Sequence, residues 1–282
     1  MIHPAPPPIV EWLMTHHFSV ETAASKSRPA SLAIGTVLSC ITVLSPFAAA
    51  GAAHAETGSV VPRAASGKPD FSGLWQSLST ADWDLEPHNA RKDAPAGLGV
   101  VVGGEIPYQP WAAEKRKENF EKREILDPRN KCYLPGIPRA TYSPYPFQIF
   151  QADTHLTLLY EYAHTARTVY TNDTKHPSGH IDWWLGDSRG HWEGDTLVVD
   201  VVDFNDQTWL DHSGNFHSDA LHVVEHYSFI DSDHIRYEAT IEDPKVFTRP
   251  WTVDLVLYRH VEKNFQLLEY ECYTFNYEHF YP

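Results

Sequence analysis

Positive charge is what this chain has least of. Of 282 residues, 22 are Lys or Arg against 37 Asp or Glu, a formal net charge of −15. Phosphate backbones are held by Lys and Arg, so the balance disfavours a nucleic-acid partner. Familiar catalytic signatures are missing too. There is no Gly-x-Ser-x-Gly elbow, Walker loop, His-Glu-x-x-His pair or dinucleotide fingerprint after a strand. Their absence removes the commonest hydrolase, NTPase and dehydrogenase readings. No internal repeat is visible, and no helices alternate with the candidate strands, which excludes a parallel α/β sheet.

What is present is aromatic. Nine Trp, fourteen Tyr and thirteen Phe accompany 42% hydrophobic and 21% charged residues, too balanced for disorder or a fibre. Large rings suit a pleated, half-buried surface, so the composition points to β structure around an aromatic-lined interior.

The start of the chain has the layout of an export signal. Lys26 and Arg28 precede the apolar, uncharged run Leu32 to Ala50, and Ala53-His54-Ala55 offers cleavage before Glu56. Pro46 and the Ala/Gly-rich end make a poor spanning helix, and Cys40 fits a lipid-anchor site loosely. The expected mature protein is periplasmic or secreted and has no stable membrane insertion. It keeps two cysteines, Cys132 and Cys272, which an oxidising compartment favours as a bridge over two buried thiols.

Residues 1–55 are thus read as leader and over-long N-terminus, 56–69 as linker and 70–282 as one domain. Pro110 and the run Trp111 to Leu126 predict a helix with Pro at its first position, in a Pro-rich insertion over about 108–130. Its i,i+4 charges Lys117/Glu121 and Glu118/Lys122 predict a solvated face. Strands are predicted at 71–75, 147–151, 156–162, 165–171, 180–185, 197–202, 221–230, 234–241, 251–260 and 267–275, separated by turn residues. Such a meander manages its edges by closing, so the expected fold is all-β: an antiparallel up-and-down, lipocalin-like β-barrel, with a β-sandwich as alternative.

Two motifs resolve into bland readings. His222-Val-Val-Glu225-His226 spells an inverted zincin pattern, but on a strand the two His lie about 13 Å apart, too far to share one zinc. Asp203 to Asp211 resembles half a calcium loop but lacks the Gly and Glu that an EF-hand needs; an Asx-rich turn is the simpler reading.

The chemistry-bearing stretch is Asp187 to Glu225. It gathers His191, Asn205, Asp206, Asp211, His212, His217, Ser218, Asp219, His222 and Glu225 among Trp184, Trp192 and Trp209, with His176, His180 and Asp182 just upstream. Histidine beside carboxylate is what proton transfer needs. The alternative is a polar loop capping the barrel, hydrogen-bonded to backbone. Arg167, inside a β-rich run, must pair with a carboxylate such as Glu161 or Glu225 or meet a ligand, because an isolated buried charge is very costly.

The run Gly190-His-Trp192-Glu-Gly194-Asp-Thr-Leu-Val-Val-Asp200, then Phe204-Asn205-Asp206, Thr208-Trp209-Leu-Asp211, His217-Ser218, Leu221-His222-Val, Glu225, Asp243-Pro244 and Pro250-Trp251-Thr252, resembles a large family of exported bacterial proteins. That family is frequent in acidobacteria and sphingomonads, and the resemblance runs from Phe71 onward. It implies both Cys132 and Cys272 and a distant likeness to calycin barrels, to which Gly73-Leu74-Trp75 also resembles an opening strand. It implies no particular reaction. Asp187 stands where the family usually has Tyr, and His226 where it usually has Arg.

The leading expectation is a cofactor-free lyase, isomerase or hydratase acting on a small, partly apolar or aromatic molecule inside the barrel. His217 or His222 would be the acid or base, with Asp211, Glu225 or Asp187 assisting. Asn205, Arg167, Trp184, Trp209 and Tyr145 would hold the substrate. A non-catalytic small-ligand binder is the second expectation. A metal-dependent hydrolase or lyase, with a divalent ion on His176, His180 and Asp182, is the third.

Overall fold

The computed structural model describes residues 60–179, 181–270 and 272. The leader and most of the linker lie outside them, as does His180. Nine strands close into a barrel in sequence order. They are β1 (Gly73–Ser77), β2 (Phe147–Gln151), β3 (His155–Tyr160), β4 (Ala166–Tyr170), β5 (Asp187–Glu193), β6 (Thr196–Val202), β7 (His222–Asp231), β8 (His234–Glu242) and β9 (Trp251–Arg259). The all-β barrel expected from the alternating pattern is therefore present.

One wall departs from the up-and-down pattern. β4 and β5 run parallel and share only Val169↔Ser188 and Tyr170↔Arg189, whereas every other neighbouring pair is antiparallel. Parallel neighbours need a long crossover, and residues 171–186 supply it by returning the chain to the end at which β4 began. Gly190 lets the seam close, because a Cβ there would stand 2.9 Å from Val169 Cγ1 and 3.0 Å from Thr171 Cγ2.

The strand expected at 180–185 is not formed. Among its described residues, Trp183 makes only an isolated bridge with Phe204, and the strand begins instead at Asp187. Likewise 267–270 and Cys272 carry no strand, and the rest of that expected strand lies outside the described residues. The helical insertion is present as α1 (Pro110–Glu121) and α2 (Arg123–Leu126), followed by a 3-10 turn at Pro128–Lys131 and the short α3 (Arg139–Tyr142). Glu118 pairs with Lys122 on the exposed side of α1, while Ala112 and Asn119 are buried. Among the described residues no helix is long and apolar enough to cross a membrane.

Alternating strand positions send side chains inward, and together they fill the barrel. Trp75, Phe147, Leu156, Leu158, Val199, Val223, Ile235, Val253 and Leu257 belong to one continuous apolar core. At its centre lies a charged group. Arg167 donates from Nη1 to Glu225 Oε1 at 3.1 Å, from Nη2 to Oε2, and from Nε to Ser188 Oγ at 2.9 Å. Tyr227 and Tyr237 add hydroxyl bonds to Glu225 Oε1 at 3.0 and 2.8 Å. Glu225 thus accepts four donors, which offsets the cost of a carboxylate without access to water.

Candidate active site

The most chemically equipped cavity lies outside the barrel, under the insertion. Its volume is about 240 Å³, and Asp82, Asp93, Asp127, Arg129, Arg139, Tyr162, His212 and Tyr270 are among its lining residues. Five segments contribute. The loop after β1 brings Asp82 and Asp93, and the 3-10 turn and α3 bring Asp127, Arg129 and Arg139. The β3–β4 connection brings Tyr162, the loop after β6 brings His212, and the C-terminal segment brings Tyr270.

Local sequence explains several placements. Asp127 caps the 3-10 turn, accepting from Arg129 N at 3.0 Å ahead of Pro128, and this fixes its carboxylate. Arg139 is buried and divides its donors between two acids. Nε reaches Asp82 Oδ1, and Nη1 and Nη2 reach the two oxygens of Asp127, all at 3.0 Å. Arg129 Nη1 also bonds Asp82. Burial alone would raise both acids, but the charges of Arg129 and Arg139 hold Asp82 below the usual carboxylate range. Arg139 and the bond from His212 do the same for Asp127. Both are therefore ionised partners of arginine.

His212 is the group this frame leaves available. Its Nδ1 lies 2.8 Å from Asp127 Oδ2 and its Nε2 3.5 Å from Asp93 Oδ2. The backbone N–H of His212 donates to Asp82 O at 2.8 Å, tying the residue to the same frame. Asp93 is held down to about 2, chiefly by the bond from Arg123. An imidazole oriented by a carboxylate at Nδ1, on a residue that lines a cavity, is equipped for proton transfer. Tyr162 and Tyr270 line the same cavity, and Tyr145 packs against both. Tyr162 lies 5.5 Å from Tyr145 and 5.2 Å from Tyr270, and the Arg129 guanidinium sits 4.9 Å above the Tyr162 ring. Burial first, then Tyr270, pushes the Tyr145 hydroxyl up to about 12, and burial also raises Tyr162.

Cys132 and Cys272 are bridged, with Cα atoms 5.5 Å apart, and Cys272 lines the cavity. The bridge and the Leu268 N–H, which donates to Glu161 Oε2 at 2.7 Å, hold Tyr270 against the site.

The other residues singled out from sequence are scattered. His217 is buried, its Nδ1–H donating to Ser218 O at 2.8 Å while Nε2 accepts from Thr208 Oγ1 at 2.6 Å, and burial lowers its pKa. Asp211 is fully buried and accepts from Leu85 N, Asn215 N and Asn215 Nδ2. Asn205 accepts from Gln207 N as in an Asx turn, and Trp209 bridges Phe216. Asp211 ties the loop after β1 to the loop after β6, and the other contacts hold that second loop together. Arg167 and Glu225 bind each other.

On β7, His222 and His226 are partly exposed while Glu225 is buried among the core strands. His222 Nε2 meets Asp200 Oδ1 at 2.5 Å, and this bond raises its pKa. His176 bridges Asp187 at 2.7 Å and Asp200 at 3.4 Å. Asp182, Trp184, Asp187 and Arg167 line a second cleft of about 410 Å³ along the β4–β5 seam. Among the described residues no three His, Cys, Asp or Glu side chains are grouped to hold a metal.

Of the residues expected to hold substrate, then, only Tyr145 stands beside the first cavity. Asp82, Asp93, Asp127, Arg129, Arg139 and Tyr162 were not legible as site residues. The one local signal was Asp127-Pro128, which reads as a cap before a helical turn. Comparison with protein-family models and with curated proteins yields no match. The site must be read from its own chemistry.

Proposed function

We propose that this protein is an exported small-molecule enzyme of lyase, isomerase or hydratase type, with His212 as the acid–base group. The observation that carries this reading is the His212 imidazole, oriented by Asp127 and lining a cavity that also holds Arg129, Tyr162 and Tyr270. The described lining contains no Ser, Thr or Lys, and its cysteine is in a disulfide. Proton transfer therefore fits these side chains better than Ser, Cys or Lys nucleophilic catalysis. In such a step His212 removes or delivers the proton at the substrate. Asp127 fixes the tautomer and steadies the imidazolium, and Arg129 stabilises charge developing on a substrate oxygen. The export-signal layout, the disulfide and the motif resemblance to an exported bacterial family support the compartment.

The test is solvent deuterium exchange. The full chain, purified with its disulfide intact, is incubated in heavy water with a panel of small aromatic acids, ketones and alcohols. The proposal expects deuterium to enter an acidic C–H of a bound compound, and expects His212→Asn to stop that exchange while the compound still binds. Exchange that survives His212→Asn would remove the assignment. Binding without exchange or turnover would favour the second reading, a small-ligand binding protein. That reading draws on the seam cleft, whose walls include Trp183, Trp184 and Tyr170.

A further inference from the structure

The deepest asymmetry in the cavity is between its two arginines. Arg139 spends Nε, Nη1 and Nη2 on Asp82 and Asp127, in three bonds of 3.0 Å. Arg129 bonds Asp82 through Nη1 alone. Apart from the Tyr162 hydroxyl, with which the Arg129 side chain also interacts, no acceptor among the described residues meets its Nε or Nη2, and neither is a buried unsatisfied atom. The two together form the side-on fork of the guanidinium. They belong to a residue that lines the cavity and whose side chain is 15% exposed. The face of the same guanidinium is covered by Tyr162 at 4.9 Å and Tyr145 at 5.8 Å.

We infer that the ligand of this cavity is a small aromatic carboxylate, its two oxygens on the Nε–Nη2 fork of Arg129 and its ring against the tyrosines. This rests on the cavity being the functional site. A guanidinium cannot be deprotonated in a protein, and its fork matches a planar carboxylate in both spacing and charge. The charges already present leave room for such a guest. Asp82 and Asp127 are met by Arg129 and Arg139, and Asp93 by Arg123. The pocket is thus balanced although the chain as a whole is strongly acidic. The aromatic part follows from the walls. Tyr162 and Tyr270 line the cavity with centroids 5.2 Å apart, and Tyr145 backs them at 5.5 and 5.0 Å, the spacing at which rings favour stacked or edge-on neighbours. A volume of about 240 Å³ limits the guest to one ring with a short side chain.

The experiment is calorimetric titration of the full, oxidised chain with benzoate, phenylacetate and 4-hydroxybenzoate, against benzamide, benzyl alcohol and phenol. Carboxylates are expected to bind about tenfold or more tightly than their neutral counterparts, as a bidentate charged pair implies. Arg129→Lys, which keeps the charge but loses the fork, should erase most of that preference and leave the neutral ligands unchanged. In case the variant fails to fold, the Arg129 Nε–H resonance of the unaltered chain is followed by NMR and should shift on adding benzoate.

Equal binding of benzoate and benzamide, or no binding of any probe, would overturn the carboxylate assignment. Neutral rings that still compete at Tyr162 would leave the cavity as the site. Carboxylate binding untouched by Arg129→Lys, Tyr162→Ala and Tyr270→Ala alike would place the ligand elsewhere and remove the site reading itself.

Discussion

His212 and Arg139 share one carboxylate. Asp127 Oδ2 meets His212 Nδ1 at 2.8 Å and Arg139 Nη2 at 3.0 Å, so the carboxylate that orients the exposed imidazole also neutralises a buried guanidinium. Removing each partner has a different consequence. His212→Asn is expected to change stability by no more than about 1 kcal/mol, because His212 is partly solvated. Asp127→Asn removes one of the three acceptor oxygens of Arg139 and the charge that balances it, and is expected to cost about 3–5 kcal/mol. Urea unfolding of the two variants separates them. Equal losses would contradict this division of labour.

The ion pair inside the barrel is structural. Arg167→Met leaves Glu225 buried with only the two tyrosine hydroxyls and is expected to cost about 3–5 kcal/mol. It should leave the affinity of the cavity under the insertion unchanged. Chemical denaturation combined with ligand titration reads both quantities on one sample.

Stability should pass through a maximum in mildly acidic solution. Asp82, Asp93 and Asp127 have depressed pKa values in the fold, so the stability they confer is present above about pH 4 and disappears as pH falls through their folded values. Asp211 works in the opposite direction, since burial and then Asp84 raise it to about 7. The folded chain retains a proton that the unfolded chain has released. This contribution is complete below about pH 4 and is lost as pH rises through about 7. Urea midpoints measured across that range should rise and then fall, and Asp211→Asn should flatten the fall. A midpoint still climbing at about pH 7 would show that the bonds from Leu85 and Asn215 outweigh burial.

The disulfide closes 140 residues of sequence. On the chain-entropy account, Cys132→Ser should cost about 4–5 kcal/mol. It should also weaken ligand binding at the cavity, because Tyr270 is then held by fewer ties. Comparing the variant with the reduced parent tests both effects. A loss of stability with full affinity would show that Tyr270 keeps its place without the bridge.

The strands were legible wherever alternation was strong. Phe147–Gln151 matches to the residue, and Trp251–Arg259 nearly so. β5 was not, because Asp187-Ser-Arg-Gly-His has little β character and forms a strand only between the partners that tertiary closure supplies. The cavity was only partly legible. The His/carboxylate run contains His212, but the expectation rested on His217 and His222, which lie away from this cavity. His212 meets carboxylates and lines a cavity where His217 is buried against Thr208 and Ser218, and that cavity is made by Asp82, Asp93, Asp127 and Arg129, which come from other segments. No periodicity announces a pocket assembled from loops.

The parallel seam also decides where the barrel breathes. β5 and β6 are joined along seven residue pairs, β4 and β5 along two. The cheapest excursion of this wall is a parting of β4 from β5, and amide exchange should be fastest there among the strand interiors. Behind that gap stands Arg167, whose Nε bond to Ser188 crosses the seam. The buried cation therefore acts as a latch on the weakest joint. Each opening exposes it to water for a moment, and each closing must desolvate it again.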